Sequence, residues 1–268
     1  MGLTALPVPR RAKISKISKV SAVAPPAIKP KLPIIKPALV IARADASSVS
    51  APKIAPSLFV MPSEPFTTAV LSREAKTQTL QQLDDGEVKG CKKCRLCETR
   101  MHTVFGEGDV DARLLFIGEG PGENEDLQGR PFVGRAGELL EKMIVAMGLS
   151  RQSVFICNIV KCRPPGNRAP MADETGACTP YLLQQIEVVR PTVIVTLGLP
   201  ATQFMLQTKN SMGKMRGQWH TWRGIKLMPT YHPAYVLRDY TPKTRAAVWD
   251  DLKQVMAELG LPAVAKKS

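Results

Sequence analysis

The sequence is poor in aromatic residues and in histidine, and it has no long apolar segment. Aromatic side chains make up 5% of its 268 residues, and only three histidines are present. No apolar run approaches the roughly 18 residues of a membrane-spanning helix. The longest candidate, residues 33–44, is interrupted by Lys36, Pro37 and Arg43. We therefore expect no membrane partner. We also expect no secretory signal, since no clean apolar stretch follows the early basic residues.

The N-terminal region is almost free of acids. Residues 1–50 contain a single acid, Asp45, against nine lysines and arginines, and eleven of the 23 prolines fall within residues 1–65. Such a segment cannot bury enough apolar surface to offset its ordering entropy. The composition predicts a disordered basic tail over 1–65, a folded domain over 66–260 and a short tail over 261–268. The long tail either raises non-specific DNA affinity or is merely solvated.

The charge balance is strongly basic, with a formal net charge of +14 and a pI of about 9.7. Taken alone, this balance favours an anionic partner and does not distinguish nucleic acid from an acidic membrane surface. We expect a reducing, cytoplasmic setting, where clustered cysteines bind metal more often than they form disulfides.

Strand-like and helix-like segments alternate along the chain after Phe66. The alternation predicts an α/β fold: a three-layer, doubly wound, mainly parallel sheet with helices on both faces. The predicted strands are 113–117, 154–160, 193–197 and 226–230, and the predicted helices are 136–147, 179–189, 201–206 and 245–259, preceded by a helix that ends near 84–86.

Three unusual segments lie at the carboxyl ends of predicted strands, where ligands of such sheets bind. They are residues 118–122, 158–165 and 231–238. The first, Gly118-Glu-Gly-Pro-Gly122, allows close backbone approach to a ligand. The acids that follow it, at 123, 125 and 126, suit water activation or a cationic transition state better than phosphate binding.

Two further residues near these strand ends are candidates for function. Phe132 either stacks on a base or belongs to the core. His232 ends a strand beside the expected cleft and is flanked by Pro233, whereas His102 and His220 lack such a context. A lone histidine is usually structural, so both interpretations of His232 stay open.

The six cysteines include a CxxC pair, Cys91 and Cys94, which Cys97 extends to CxxCxxC. Cys162 follows a predicted strand, and Cys178 lies 16 residues later. The spacing leaves a zinc site, an iron–sulfur site, a redox dithiol and free thiols open. Cys157 alternates within a strand, which is typical of a small core residue.

Several of these segments, in this order, resemble the family 4 uracil-DNA glycosylases, and together they cover nearly all of residues 88–255. The resemblance implies a uracil-DNA glycosylase-like fold and the release of uracil from DNA, as a monomer associated with the nucleoid. The matching segments are Val104-Phe-Gly-Glu-Gly, Gly118-Glu-Gly-Pro-Gly-Glu-Asn-Glu-Asp126, Gly129-Arg-Pro-Phe-Val-Gly134, Asn158-Ile-Val-Lys-Cys-Arg-Pro-Pro165, Asn167-Arg-Ala-Pro170, Thr196-Leu-Gly198 and His232-Pro-Ala-Tyr-Val-Leu-Arg238.

The family holds a 4Fe–4S cluster with four cysteines. Carried over to this sequence, the ligands are Cys91, Cys94, Cys162 and Cys178, with Cys97 and Cys157 as bystanders. The resemblance also implies that the cluster fastens the N-terminal loop to the fold and has no direct part in bond cleavage.

The resemblance assigns roles in uracil recognition as well. It places Phe132 against the ring of a flipped uracil and Asn158 on its polar edge, where cytosine would leave polar groups unpaired. It makes His232 a donor to O2 as negative charge develops. Backbone amides around Glu119 and Gly120 would help to bind the base.

The carboxylate that family 1 enzymes use to activate water is replaced here by Gly120. Glu125 is the first candidate for holding the water, and Glu119 is the second. The family usually has leucine where this chain has Val236, so the wedge into the duplex is assigned to Val236 with Leu237. Candidate phosphate contacts, each of which could equally be an ordinary surface charge, are Lys161, Arg163, Arg168 and Arg238.

Two alternative functions remain. One is a uracil glycosylase that stays covalently linked to DNA through a histidine on an inserted basic loop. Residues 163–170 are short and contain no histidine. The other is a non-catalytic iron–sulfur module that binds DNA. Such a module would not need Asn158, His232 and Phe132 together.

Overall fold

A computed structural model of the chain describes residues 62–262. Most of the two predicted tails, residues 1–61 and 263–268, lies outside the described residues. No helix within the described part is long and apolar enough to cross a membrane.

One six-stranded sheet organises the described part of the chain. Its strand order is β1-β3-β2-β4-β6-β5. The four inner strands are parallel, and the two outer strands pair antiparallel with their neighbours. The strands are β1 (Glu107–Gly108), β2 (Leu114–Gly118), β3 (Phe155–Asn158), β4 (Val193–Leu197), β5 (His220–Trp222) and β6 (Ile225–Thr230).

Within residues 62–262, eight α-helices connect and cover the strands. Side-chain caps define the starts of three of them: Ser72 accepts a hydrogen bond from the Ala75 amide, His232 accepts one from the Ala234 amide, and Thr241 accepts one from the Thr244 amide. The helices are α1 (Arg73–Leu83), α2 (Glu123–Gln128), α3 (Gly134–Ala146), α4 (Ala172–Val189), α5 (Leu199–Leu206), α6 (Met212–Met215), α7 (Pro233–Arg238) and α8 (Pro242–Glu258), with single helical turns at Asp84–Val88, Arg95–Glu98, Arg151–Ser153 and Pro165–Asn167.

The sheet is covered on both faces, as predicted. Strand β2 is buried throughout, with Leu115 and Ile117 packing into one core and Leu114 and Phe116 into the other. Side chains of α1, α4 and α5 complete the first core, and those of α3 and α8 complete the second. The three-layer arrangement confirms the predicted fold class.

The sequence prediction missed the two edge strands. β1 has two residues and β5 has three, too few for an alternating pattern to be recognised. It also missed α2 and α7, which have six residues each. The four inner strands fall where they were predicted, within one or two residues, because their apolar runs are buried on both faces.

The first described residues pack where the parallel strands begin, at the end of the sheet opposite the strands' carboxyl ends. The Phe66 ring lies 3.9 Å from the Arg223 guanidinium and 4.1 Å from that of Arg190, and it meets Trp222 edge-on. Arg223 precedes β6 and Arg190 precedes β4, so this contact lies at the amino-terminal ends of the parallel strands. Residues 62–65, assigned from the sequence to the disordered tail, therefore adjoin an anchored segment.

Candidate active site

A cleft opens at the carboxyl ends of the parallel strands. The chain passes from β2 to β3 on one side and later to β4 on the other, so the strand order reverses at β2. Sheets of this class bind ligands at such a point. The cleft brings together eight predicted site residues: Glu119, Gly120, Glu125, Phe132, Asn158, Arg168, His232 and Arg238.

Glycines give the cleft its close-packed floor. A Cβ added at Gly118 would lie 2.3 Å from Asn158 Oδ1 and 2.5 Å from Phe132 Cζ. One added at Gly120 would lie 2.7 Å from a methyl group of Val160. Only glycine lets the Asn158 amide and the Phe132 ring meet at the end of β2.

Asn158 carries an unpartnered polar atom at this floor. The residue is 2% exposed, and its Oδ1 is one of three buried side-chain polar atoms in residues 62–262 that lack a hydrogen-bond partner. Leaving such an acceptor unpaired costs about 1–3 kcal/mol. The atom is therefore ready to accept a hydrogen bond from a ligand donor.

Phe132 forms the neighbouring wall in a strained backbone conformation. Its φ is +49°, in the left-handed region, and its side chain is buried. A bulky residue pays about 1–3 kcal/mol for this conformation, which persists only where the surroundings enforce it. The Phe132 ring centroid lies 5.5 Å from that of His232, and the ring planes are inclined by 32°.

His232 is a neutral hydrogen-bond donor in this arrangement. Its Nδ1 accepts the Ala234 backbone N–H at 3.0 Å, so the ring proton is on Nε2. Burial lowers the pKa of His232 to about 4, and the positive charge of Arg238 acts in the same direction. At neutral pH the imidazole thus offers one N–H without carrying a charge.

The two candidate carboxylates differ in their surroundings. Glu125 accepts the Gly122 amide at 3.1 Å with Oε2 and the Val133 amide at 2.9 Å with Oε1. It therefore ties the first loop to the Phe132 turn. Glu119 lines the same cleft, and burial raises the pKa of its carboxyl group.

Two predicted DNA contacts are wrong because the side chains are buried. Lys161 is 1% exposed, and its Nζ donates to the Asn158 carbonyl at 2.7 Å and to Gln185 Oε1 at 2.6 Å. Val236 is 3% exposed on the inner face of α7, so its side chain does not project toward the solvent as a wedge would. Leu237 is half-buried and does not line the cleft.

The remaining predicted basic contacts lie at or near the cleft. Arg238 is exposed at its rim. Arg168 lines the cleft but is held by the buried Glu174, with distances of 2.6 and 2.8 Å to the two carboxylate oxygens. Arg163 is outside the cleft lining, and its Nε donates to Asn167.

Sequence reasoning missed an aromatic pair at the cleft. The Tyr231 and Tyr235 rings lie 4.9 Å apart, and Tyr235 is 39% exposed. Both residues fall inside the segment that the sequence singled out. Which of its side chains reaches the solvent depends on the start of the short helix α7, and the sequence does not define that start.

Four cysteines line a second cavity, away from the cleft. Three of the four sulfurs accept a hydrogen bond, as thiolates that ligate iron commonly do. The donors are Arg100 Nη1 to Cys162 at 3.1 Å, the Tyr181 hydroxyl to Cys91 at 3.3 Å and the Lys161 amide to Cys178 at 3.2 Å, and the fourth cysteine of the lining is Cys94.

The other two cysteines, predicted to be bystanders, lie outside this cavity lining. Cys157 is fully buried in the core, and Cys97 is half-buried. Within residues 62–262, no three His, Cys, Asp or Glu side chains converge closely enough for a single metal ion. A zinc ion needs four ligand atoms about 2.0–2.3 Å from one centre. In a four-iron cluster each thiolate instead binds a different iron.

Comparisons with known proteins agree with this geometry. A family model described as the Uracil DNA glycosylase superfamily matches residues 105–253. The chain is 49% identical to a type-4 uracil-DNA glycosylase of Saccharolobus solfataricus, over 65% of this chain and 83% of the relative. It is 46% identical to one of Thermotoga maritima, over 66% and 93%, and 40% identical to one of Archaeoglobus fulgidus, over 66% and 92%. The chain belongs to the uracil DNA glycosylase superfamily and, within it, to the type-4 enzymes.

Proposed function

We propose that this protein is a DNA repair enzyme that hydrolyses the N-glycosidic bond of uracil in DNA and leaves an abasic site. The observation that carries the proposal is the unpartnered Asn158 Oδ1, buried beside Phe132 and the neutral His232. Together these residues offer a stacking face, an acceptor and a donor to a small planar base. Because a duplex hides that base, the enzyme flips it into the cleft.

Asn158 selects uracil by its pattern of donors and acceptors. The amide Oδ1 accepts from uracil N3–H, and the amide nitrogen donates to O4. Cytosine has an acceptor at N3 and an amino group at C4, so both contacts would become repulsive. A site that leaves buried polar groups unpaired rejects the wrong base strongly.

His232 stabilises the departing base. Cleavage of the glycosidic bond places positive charge on the sugar and negative charge on the uracil, in part at O2. The Nε2–H of His232 is free to donate there, because Nδ1 is held by the Ala234 amide. A neutral donor strengthens its hydrogen bond as the charge develops, and the effect is large in a site that excludes water.

Glu119 is the better candidate for the residue that activates water. Its carboxyl group lines the cleft and its pKa is raised by burial, whereas both oxygens of Glu125 already accept backbone amides. Glu125 then acts on the shape of the site, by tying the Gly122 turn to Val133. The sequence analysis placed Glu125 first and Glu119 second as the residue that holds the water, and the proposal reverses that order.

The cysteine cavity holds a 4Fe–4S cluster in this proposal, with Cys91, Cys94, Cys162 and Cys178 as its ligands. The four cysteines line one cavity, and three of their sulfurs accept a hydrogen bond, which makes them a suitable set for iron. These four residues would join the 91–94 loop to the segment after β3 and to α4 through a bound cluster. It takes no part in bond cleavage.

The DNA backbone runs along the rim of the cleft. Arg238 is exposed there and contacts phosphate, and Arg168 adds positive charge beside it. We further propose that the enzyme acts as a monomer on DNA in the cytoplasm, and that the tail beyond the described residues adds non-specific affinity.

The proposal is tested with oligonucleotides that contain one uracil, as single and double strands, against matched thymine and cytosine controls. We expect free uracil and an alkali-labile abasic site from the uracil substrates alone. A protein–DNA adduct that survives denaturation would indicate the covalent variant. DNA binding without uracil release would indicate the non-catalytic module and contradict the proposal.

A further inference from the structure

The turn that carries Phe132 is both strained and tightly enclosed. Phe132 adopts the left-handed conformation with a φ of +49°. Helix α3 packs directly against its backbone: a Cβ added at Gly137 would lie 1.9 Å from the Phe132 carbonyl oxygen. A conformation of this kind needs groups that hold it, and the described residues supply them from outside the cleft.

Arg151 is the principal group of this kind. Its Nη1 donates to the Phe132 carbonyl at 3.2 Å, its Nη2 donates to the Pro131 carbonyl, and its Nε donates to Glu107. The residue is 7% exposed and does not line the cleft. The guanidinium therefore binds two consecutive carbonyl groups of the turn and does not contact the ligand site itself.

Glu107 fixes the orientation of this guanidinium. It lies on the edge strand β1, opposite Ile156 of β3. It also accepts hydrogen bonds from the exposed Arg130, at 2.9 and 3.0 Å. Strand β3 ends at Asn158, so the support of Phe132 and the residue that reads the base are built on adjacent strands.

We propose that Arg151, oriented by Glu107, is a positioning residue that sets the Phe132 ring at the distance from Asn158 and His232 at which it stacks on uracil. The inference rests on the proposed function, because it assigns Phe132 to the bound base. A planar guanidinium can hold two neighbouring carbonyls at once, whereas a lysine ammonium acts as a single point charge. Charge alone should therefore not replace Arg151.

The test compares Arg151→Lys with Arg130→Met as the matched control. Both lose contacts to Glu107, but only the first loses the two carbonyls of the Phe132 turn. For Arg151→Lys we expect inhibition by free uracil to weaken, and single-turnover cleavage at saturating DNA to slow, by roughly 10- to 100-fold. Arg130→Met should stay within about twofold of the wild type, since exposed ion pairs contribute little.

A double-mutant cycle with Phe132→Ala separates positioning from general stability. If Arg151 acts through the ring, Arg151→Lys should add little once the ring is gone. Equal losses in the wild-type and Phe132→Ala backgrounds, or uracil inhibition equal to that of Arg130→Met, would overturn the inference. A wild-type protein that releases no uracil would instead overturn the proposed function.

A second variant covers the case in which Arg151→Lys does not fold. Gly137→Ala keeps Arg151 but places a methyl group against the Phe132 carbonyl oxygen, so the turn has to shift. We expect the same weakening of uracil inhibition, with DNA affinity retained. Inhibition at the wild-type level in a folded Gly137→Ala protein would contradict the role of the turn.

Discussion

The cleft and the cysteine cavity lie at the two ends of residues 158–162. They differ in how far their polar atoms are hydrogen-bonded within the protein. In the cleft, Asn158 Oδ1 has no partner and His232 Nε2 is left available. In the cavity, three of the four cysteine sulfurs accept hydrogen bonds. Unpaired atoms suit a ligand that arrives and leaves. A ligand set that is already hydrogen-bonded suits a group that stays bound.

A single buried residue connects the two regions. Lys161 donates to the Asn158 carbonyl through its side chain and to the Cys178 sulfur through its backbone amide. The sequence assigned this lysine to DNA, because a positive charge in a nucleic-acid enzyme suggests phosphate. Its burial shows that it supports the protein interior.

Replacing Cys162 by Ser should remove the cluster and destabilise the fold by about 4 kcal/mol or more, since loss of a metal site is among the most damaging substitutions. Anaerobic purification, iron analysis and thermal unfolding measure both effects. Cys97→Ser is the control and should keep roughly four irons per chain, as a 4Fe–4S cluster has. A wild-type protein with one zinc and no iron would remove the iron–sulfur assignment.

Replacing Glu119 by Gln should slow cleavage by about 10²- to 10⁴-fold, the usual contribution of a general base. The wild-type rate should fall toward acid as Glu119 takes up a proton, starting above the ordinary range of a glutamate because burial raises its pKa. This acid limb should be absent in Glu119→Gln. If Glu125→Gln removes the limb and Glu119→Gln keeps it, the sequence ordered the two acids correctly.

His232 should also make the free energy of unfolding depend on pH. The folded-state pKa of His232 is about 4, below its unfolded value of about 6.5. The unfolded chain therefore binds the proton more readily. The resulting stabilisation is complete above pH 6.5 and is lost as the pH falls toward 4. Denaturant titrations should show a smaller acid dependence for His232→Ala, and an unchanged dependence would contradict the burial of a neutral ring.

Replacing Asn158 by Asp should weaken discrimination between uracil and cytosine. An ionised carboxylate accepts from the amino group of cytosine but cannot donate to uracil O4. We expect uracil release to fall by about a hundredfold, with cytosine release falling less or rising. Competition between the two bases in matched oligonucleotides measures the ratio. A ratio equal to that of the wild type would mean that another group reads the base.

Deleting residues 1–61 should have the smallest effect. Phe66, close to the point of deletion, packs where the parallel strands begin, at the end of the sheet opposite the cleft. The deletion should therefore leave the site itself unaffected. We expect turnover at low salt to be preserved and the salt dependence of DNA binding to become less steep, as basic residues are lost. Loss of turnover in a folded protein would show that the N-terminal segment contributes to the site.

The sequence predicted the features that depend on a local pattern of residues, and it missed those that depend on tertiary contacts. Strands β2, β3, β4 and β6 are buried apolar runs, and the residues at their ends were located because parallel strands bring their carboxyl ends to one edge. The burial of Lys161 and Val236 and the bracing of Phe132 by Arg151 were not predicted. These features depend on which face of a turn points inward and on contacts between residues far apart in the sequence.

The central claim is that His232 acts on the transition state for uracil release and contributes little to DNA binding. Single-turnover cleavage of a uracil-containing duplex, measured beside its affinity for the His232→Ala protein, tests this directly. We predict cleavage slower by roughly a hundredfold or more, the effect of losing one oxyanion donor, and an affinity close to that of the wild type. Cleavage by His232→Ala at the wild-type rate would contradict the account and leave the chemistry to Glu119 and the 118–122 loop.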